Sequence, residues 1–259
     1  MIRFRSLGSG SGGNATVVEA TSGITTTRLL VDAGFSLREL DARLVHAGLH
    51  ATDLDAVFVT HEHGDHIGCA VALSERDALP LWMSRGTWRA IGEPVAPAGL
   101  RFARDDEKVA VGDLELQPFT VAHDAAEPLQ LSCSDGSARL VVLTDVGSIT
   151  AHMLDNVMGC DAIILECNHD AAMLEQSRYP PSLKARIGGR LGHLSNATAV
   201  EILGHCLSAR LEHVVAAHLS RENNRPAIAR AALAAVRGCA DEEIVVADPG
   251  SGFDWLRID

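Results

Sequence analysis

Residues 60–66 read Thr-His-Glu-His-Gly-Asp-His and directly follow the apolar run Ala56-Val57-Phe58-Val59. This stretch has four side chains of the kind that bind metals, and it comes at the end of what reads as a buried strand. In an extended backbone, residues i and i+2 point to the same side. His61 and His63 can therefore hold one metal together.

Asp65 and His66 follow Gly64, which lets the chain turn, so that they can face a second metal. A lone His is commonly an ordinary core or surface residue, and an Asp in a loop is commonly a turn residue. Chance clustering is thus the alternative to a metal site. Four ligand-type side chains seldom crowd together by accident, and the motif favours a site for two metals.

The 259 residues are 47% hydrophobic, which suffices for one sizeable core and predicts a single domain over residues 1–259. The net charge of −12 argues against a generic nucleic-acid coat, because such proteins neutralise phosphates with Lys and Arg. A nuclease stays open, since bound divalent metals bring positive charge to the scissile phosphate.

The six cysteines contain no Cys-x-x-Cys pair, and the N-terminus runs into a strand without a secretory apolar segment. No apolar run reaches the roughly 18 residues of a membrane span. These features predict reduced thiols, a cytoplasmic protein and no membrane contact.

Strand and helix patterns alternate in both halves of the chain, which predicts two sheets packed face to face with helices outside. Hairpins are predicted in 109–122, around Gly112-Asp113, and in 128–144, around Asp135-Gly136. The other predicted strands are 2–7, 15–20, 28–32, 56–60, 80–84, 162–167, 213–217, 243–247 and 253–257. The predicted helices are 37–47, 67–77, 197–209 and 225–236.

Three further ligand-type residues, His123, Asp145 and His218, each follow an apolar run. Because strand ends cluster at one rim of a sandwich, these side chains can converge on the first motif. The order of all these residues resembles the metallo-β-lactamase superfamily, whose fold is an α/β four-layered αββα sandwich. By that resemblance, His61, His63 and His123 hold one metal, Asp65, His66 and His218 hold the other, Asp145 bridges both, and Asp32 orients the metal loop.

Single residues indicate the branch of the superfamily. His63 stands where the flavodiiron branch has Glu, which favours hydrolysis, and Asp145 stands where the lactamases have Cys. With a bridging Asp at this position, the chain resembles the phosphodiesterases and glyoxalase-type hydrolases of the superfamily, in which two metals are closely coupled. The stretch between Asp145 and His218 leaves no room for the inserted domain of the RNA-cleaving β-CASP branch.

The chain most resembles the YycJ/WalJ-like family, in the segments 6–14, Asn168-His169-Asp170, Tyr179-Pro180, 192–196 and 217–224. That resemblance implies 5′-to-3′ exodeoxyribonuclease activity on DNA. The glycine-rich loop in 8–13 can present backbone N–H groups to a phosphate, or can be a tight turn between two strands.

The C-terminal half also resembles tRNA 3′-processing enzymes, although it lacks their Tyr after the last motif. By this resemblance His193 protonates the leaving 3′-oxygen. Glu166 and His169 are interpreted as orienting ligands or His193, with a purely structural role as the alternative. The predicted catalytic residues are Asp65 and His193. The candidate phosphate or sugar contacts are Asn196, Arg221, Asn223 and Asn224.

Two divalent metals roughly 3.5–4 Å apart can share one hydroxide and clamp a phosphodiester. The His-rich ligand set favours Zn²⁺, with Mn²⁺ or Fe as alternatives. A hydrolase of lactones, thioesters or cyclic nucleotides and a non-catalytic metal-stabilised domain are the competing hypotheses. A basic rim would favour DNA, and its candidate residues are Arg178, Lys184, Arg186, Arg190 and Arg221.

Overall fold

A computed structural model of the protein describes residues 1–258, which form fourteen strands and nine α-helices. The strands are β1 Ile2–Gly8, β2 Ala15–Ser22, β3 Thr25–Val31, β4 Ala56–Phe58, β5 Leu81–Met83, β6 Leu100–Phe102, β7 Val109–Val111, β8 Leu114–Thr120, β9 Leu129–Ser134, β10 Arg139–Leu143, β11 Ala162–Glu166, β12 His213–Ala217, β13 Val245–Val246 and β14 Phe253–Ile258. The helices are α1 Leu37–His46, α2 Gly64–Ile67, α3 Ala70–Asp77, α4 Arg85–Ala90, α5 Ala151–Val157, α6 Ala171–Gln176, α7 Pro181–Ile187, α8 Asn196–Cys206 and α9 Pro226–Arg237.

The strands form two seven-stranded sheets, in the orders β14-β1-β2-β3-β4-β5-β6 and β13-β12-β11-β10-β9-β8-β7. In each sheet an antiparallel part built from hairpins continues into a parallel part, β3 to β6 in the first and β10 to β13 in the second. Both predicted hairpins are confirmed, since β7 pairs with β8 and β9 pairs with β10 antiparallel. The carboxyl ends of the parallel strands are available to carry a site at one edge.

Three apolar layers hold the molecule together. The middle layer packs one sheet on the other and includes Phe4 and Phe58 against Leu116 and Leu140. A second layer packs the first sheet against α1 and α3, and a third packs the other sheet against α5, α8 and α9. Helix, sheet, sheet and helix thus follow one another, and the predicted αββα sandwich is confirmed.

The helix predicted over 67–77 is wrong in its first turns, because the chain forms two helices, α2 and α3. Gly68 separates them with φ of +34°, and a Cβ there would lie 2.3 Å from the carbonyl oxygen of Ala33. The close packing of the loop on β3 therefore breaks the helix. The strand predicted over 243–247 is reduced to β13, because a 3₁₀ turn occupies Asp241–Glu243.

Five short elements, β6, α4, α5, α6 and α7, have no counterpart in the sequence prediction. They are three to seven residues long, which is too short for a periodic apolar pattern to stand out. All six cysteines are free thiols in residues 1–258, and five of them are buried. Across that same range, none of the helices has both the length and the apolar character needed to span a membrane.

Candidate metal centre

The predicted ligands meet at the carboxyl ends of β4, β8, β10 and β12, beside the end of β3, and three of the backbone positions there are unusual. Asp32, Asp145 and His218 have φ of +61°, +57° and +54°. Non-glycine residues seldom adopt this left-handed conformation, which costs free energy that the surrounding structure must offset. Each residue follows a strand end, and the turn directs its side chain into the space between the two sheets.

One group of ring nitrogens comes from His61, His63 and His123. His61 Nε2 lies 3.0 Å and His123 Nε2 lies 3.3 Å from His63 Nδ1. Burial, followed by the neighbouring His66, keeps the pKa of His61 well below its usual value, so that the ring stays neutral. His123 Nδ1 is 3.1 Å from the carbonyl oxygen of Gly192, which fixes its proton on Nδ1 and leaves Nε2 as an electron-pair donor.

A second group comes from Asp65, His66 and His218. Asp65 Oδ2 lies 3.7 Å from His66 Nε2 and 3.4 Å from His218 Nε2. Asp145 stands between the two groups, since its Oδ2 is 2.8 Å from His66 Nε2 and its Oδ1 is 4.0 Å from His123 Nε2. The seven predicted ligands therefore lie close together, with Asp145 between the two groups.

Asp32 lies behind this cluster and fixes the tautomer of one imidazole, that of His66. Its Oδ1 accepts hydrogen bonds from the backbone N–H and the hydroxyl of Thr60, and its Oδ2 lies 2.8 Å from His66 Nδ1. A carboxylate can only accept, so His66 carries its proton on Nδ1 and turns the Nε2 electron pair toward the cluster.

Glu166, at the end of β11, plays the corresponding part in the second sheet. It is fully buried, and its Oε2 accepts from the backbone N–H groups of Val146 and Leu194. Its Oε1 lies 2.7 Å from His193 Nδ1 and 3.3 Å from His218 Nδ1. Burial raises the pKa of Glu166, but His193 and these hydrogen bonds outweigh it and lower the pKa to about 2.

The donor set fits two divalent cations. Asp145 Oδ2 is buried and has no assigned hydrogen-bond donor among residues 1–258, although His66 Nε2 lies 2.8 Å away. Burial lowers the pKa of His66, yet Asp145 and Asp32 raise it well above its usual value, which reflects the negative charge gathered around the ring. Cations held by the imidazoles and carboxylates would neutralise that charge and supply Asp145 with a partner.

A cleft of about 380 Å³ opens over the cluster and is lined by Asp65, Asp145, His193 and His218. Helix α7 forms one wall, with Leu183 and Ile187 facing the cleft beside Tyr179. Sequence reasoning missed the ion pair at this wall, in which Arg186 Nε lies 2.7 Å from Asp124 Oδ2. In the sequence, the one feature that pointed to this ion pair was the position of Asp124 directly after the predicted ligand His123.

His193 lies in the cleft with a partly exposed ring. Its Nδ1 carries the proton that Glu166 accepts, which leaves Nε2 for a substrate atom. Burial lowers the pKa of His193, but Glu166 outweighs this effect and raises it. His169 is buried without a partner for its Nδ1 among residues 1–258, and it contacts Asn196 and Leu194 through its backbone.

Three of the predicted substrate contacts are buried side chains. Asn196 and Asn224 are buried and exchange amide hydrogen bonds of 3.0 and 2.8 Å, and Asn224 also donates to the carbonyl of Cys167. Asn223 is fully buried; its Nδ2 donates to Ser220 Oγ, and its Oδ1 has no hydrogen-bond partner among residues 1–258. The amides of Asn196 and Asn224 join the loops after β11 and β12 and have little left to offer a substrate, whereas Arg221 is exposed.

The glycine-rich loop braces the cluster. Asn14 donates its backbone N–H to the carbonyl of Asp65 at 2.8 Å, and Ser9 Oγ accepts the backbone N–H of His218 at 2.9 Å. The loop therefore has the tight-turn role between β1 and β2, while Ser11 lines the cleft. Its contact with phosphate stays a prediction.

The sequence model of the protein family described as the beta-lactamase superfamily domain matches residues 27–247 of this chain. The chain belongs to this superfamily and, within it, to the YycJ/WalJ-like family. It is 35% identical over 239 residues to exodeoxyribonuclease YycJ of Bacillus anthracis, covering 91% of this chain and 89% of that protein. It is 31% identical over 263 residues to exodeoxyribonuclease WalJ of Streptococcus pneumoniae serotype 2, covering 99% of this chain and 93% of that protein.

Among solved structures, the metallo-β-lactamase-fold protein YhfI from Bacillus subtilis superposes with a TM-score of 0.74. The match covers 99% of this chain and all of YhfI at 18% sequence identity. At that identity the likeness concerns the superfamily fold, and it agrees with the four layers described above.

Proposed function

We propose that the protein is a dinuclear metal-dependent phosphodiesterase that removes nucleotides from the 5′ end of DNA. The observation that carries the proposal is Asp145, a buried carboxylate that joins two clusters of imidazole ligands beneath an open cleft. The DNA substrate is supported by the names of the two relatives, which align with nearly the whole chain.

Two divalent ions in this site would lower the pKa of water toward neutrality and neutralise charge on a phosphodiester. His61, His63 and His123 would hold one ion, Asp65, His66 and His218 the other, and Asp145 both. Asp32 and Glu166 keep the rings in the tautomers that bind a cation. We propose zinc as the native metal because imidazole is the commonest ligand in the set.

His193 is the proposed proton donor to the leaving 3′-oxygen. Glu166 holds its Nδ1, and the ring borders the cleft, so that Nε2 is the atom from which a proton would be transferred. Asp65 also borders the cleft, and it is proposed to act there both as a metal ligand and as a catalytic group beside the substrate.

Two further proposals concern the setting of the enzyme. A single catalytic domain is supported by the apolar layers, which include residues from both ends of the chain, such as Ile2 and Ile258. The free thiols support a reducing compartment, and we place the protein in the cytoplasm.

The competing function is hydrolysis of a small lactone, thioester or cyclic nucleotide by the same metals. The net charge of −12 favours it, because an acidic protein repels a polyanion at long range. The predicted basic rim is also weakened where Arg186 is paired with Asp124.

The test is nuclease activity of the metal-loaded protein on 5′-phosphorylated single- and double-stranded DNA, with manganese and zinc tested separately. We expect metal-dependent shortening from the 5′ end, absent in Asp145→Asn. Turnover of a lactone, thioester or cyclic nucleotide, with no cleavage of DNA under any metal, would replace the nuclease by the small-molecule hydrolase.

A further inference from the structure

A second cavity, of about 440 Å³, adjoins the metal cleft, and Ser220 lines both. We call it the arginine pocket, after Arg221, Arg225 and Arg230, which line it. Its apolar lining consists of Leu219, Pro226, Val246, Ala247 and Pro249. The pocket therefore combines cationic groups with an apolar surface, directly beside the proposed site of hydrolysis.

The three guanidinium groups have no carboxylate within ion-pair distance among residues 1–258. Arg225 Nη1 donates to the carbonyls of Arg221 and Asn224, and Arg230 Nε donates to the carbonyl of Ile244. These contacts hold the side chains in place without cancelling their charge. In a chain of net charge −12, such a cluster is conspicuous as a place for an anion.

One acidic residue, Asp248, lines the pocket. Its Oδ1 already accepts from the backbone N–H groups of Gly250 and Ser251 at 2.8 and 2.9 Å and from the Ser251 hydroxyl at 3.1 Å. The carboxylate is therefore held by its own turn, and it also interacts electrostatically with Arg221. Three guanidinium groups against one carboxylate leave the pocket positive.

The glycine-rich loop connects the two cavities. Ser11 lines the metal cleft, and a Cβ on the next residue, Gly12, would lie 3.9 Å from Arg221 Nη2. The guanidinium of Arg221 thus stands at the tip of the loop whose other side faces the cleft. An extended chain lying in the cleft could pass this tip and enter the arginine pocket.

We propose that the arginine pocket is a second phosphate subsite, which binds a phosphate of the DNA strand adjoining the phosphodiester in the metal cleft. The arginines bind the phosphate oxygens, and the apolar lining takes the attached sugar or base. This inference rests on the proposed nuclease function and adds to it a strand-positioning site outside the metal cluster. The phosphate is either the terminal 5′-phosphate or an internal one.

The test is binding of a fluorescent single-stranded phosphorothioate oligonucleotide, which keeps its backbone charge and resists cleavage, to the metal-loaded full chain. We compare wild type with Arg221→Gln, Arg221→Gln/Arg230→Gln and the control Arg89→Gln, which removes an exposed charge whose ion-pair partner is Glu93. We expect the dissociation constant to rise about tenfold in the double variant. The slope of log K against log salt should fall by about 0.7 for each phosphate that the variant no longer neutralises.

Oligonucleotides with a 5′-phosphate and a 5′-hydroxyl distinguish the two sources of phosphate. A wild-type preference for the 5′-phosphate that disappears in the variants assigns the pocket to the terminal phosphate. Equal weakening of both oligonucleotides assigns it to an internal phosphate. Melting temperatures within two or three degrees of wild type, about 1 kcal/mol for a chain of this length, identify variants that fold normally. Arg221 is exposed, so the single variant remains informative even if Arg230 is needed for folding.

An unchanged dissociation constant and salt slope in correctly folded variants would overturn the second subsite while leaving the nuclease intact. A wild-type protein that neither binds nor cleaves DNA would instead overturn the proposed function, and the subsite with it. A weakening in Arg89→Gln equal to that in the double variant would also overturn the subsite, because general charge would then explain the binding.

Discussion

The two sheets contribute to the metal centre in different ways. The first sheet supplies four ligands from one short loop after β4, whereas the second supplies His123, Asp145 and His218 from three separate strand ends. Each half nevertheless has one buried carboxylate behind its ligands, Asp32 in the first sheet and Glu166 in the second. In the local loop of the first sheet, Asp32 orients a single imidazole, that of His66. In the second sheet, where the side chains come from separate segments, Glu166 contacts two imidazoles and the backbone of two further segments.

The largest effect is expected where the halves meet, at Asp145. Asp145→Ala should remove the bridging ligand, lower the bound metal from two ions per chain and reduce hydrolysis on the order of 1000-fold, because each metal contributes several kcal/mol to the transition state. Metal content by mass spectrometry and the rate measure this. Asp254→Ala, at an exposed carboxylate, is the control. Full metal content in Asp145→Ala would contradict the bridging role.

The next effect compares the two buried carboxylates. In Glu166→Gln the amide oxygen would face the N–H groups of Val146 and Leu194, and its NH₂ would face His193 and His218. Both rings would then be driven to the wrong tautomer. We expect a loss of metal affinity near 100-fold, measured by competition with a chelating dye.

Asp32→Asn should affect one ring only, His66, and we expect a loss nearer tenfold by the same measurement. Glu107→Gln, on the surface, controls for the change of charge. A larger loss in Asp32→Asn than in Glu166→Gln would break the comparison between the two halves.

The packing of the first-sheet loop gives a third prediction. A Cβ on Gly34 would lie 1.8 Å from the carbonyl oxygen of Asp65. Gly34→Ala should therefore destabilise the protein by about 1–3 kcal/mol, lower the melting temperature by several degrees and impair metal binding. Gly204→Ala is the matched control, since its Cβ meets nothing within 4 Å in α8 and should stabilise by up to about 1 kcal/mol. Equal melting temperatures would refute the close approach.

The smallest expected effect is on the free energy of unfolding, and it concerns an ion pair of the first sheet that lies outside the candidate metal centre. Burial raises the pKa of Glu19, but hydrogen bonds and charge from Arg3 and Arg28 outweigh it and lower the pKa. A lowered carboxyl pKa stabilises the fold above the unfolded value of about 4.3, and this contribution is lost as the pH falls through the folded value. Glu19→Gln should cost about 1 kcal/mol at pH 7 and progressively less as the pH falls through the lowered pKa of Glu19, measured by urea unfolding. A cost independent of pH would contradict this pairing.

The sequence was sufficient for most of the fold and for nominating the ligand-type side chains that the structure brings together. The long strands and both hairpins follow from apolar alternation and turn residues, and the loop after β4 gathers its ligands within a few positions of the chain. His123, Asp145 and His218 could be nominated because each ends an apolar run. Helix α7, which forms a wall of the cleft, was missed because it is seven residues long and buries none of them, so that it gives little periodic apolar signal.

By itself the sequence determined which residue types are present at the strand ends, since period-two alternation and the family motifs are local properties of the chain. Only the tertiary structure decided which atoms meet. Asn196 and Asn224 pair with each other in place of a substrate, and three arginines from the segment 221–230 surround a pocket of their own. Such contacts depend on left-handed turns and on packing between distant segments, and they are fixed only when both sheets are assembled.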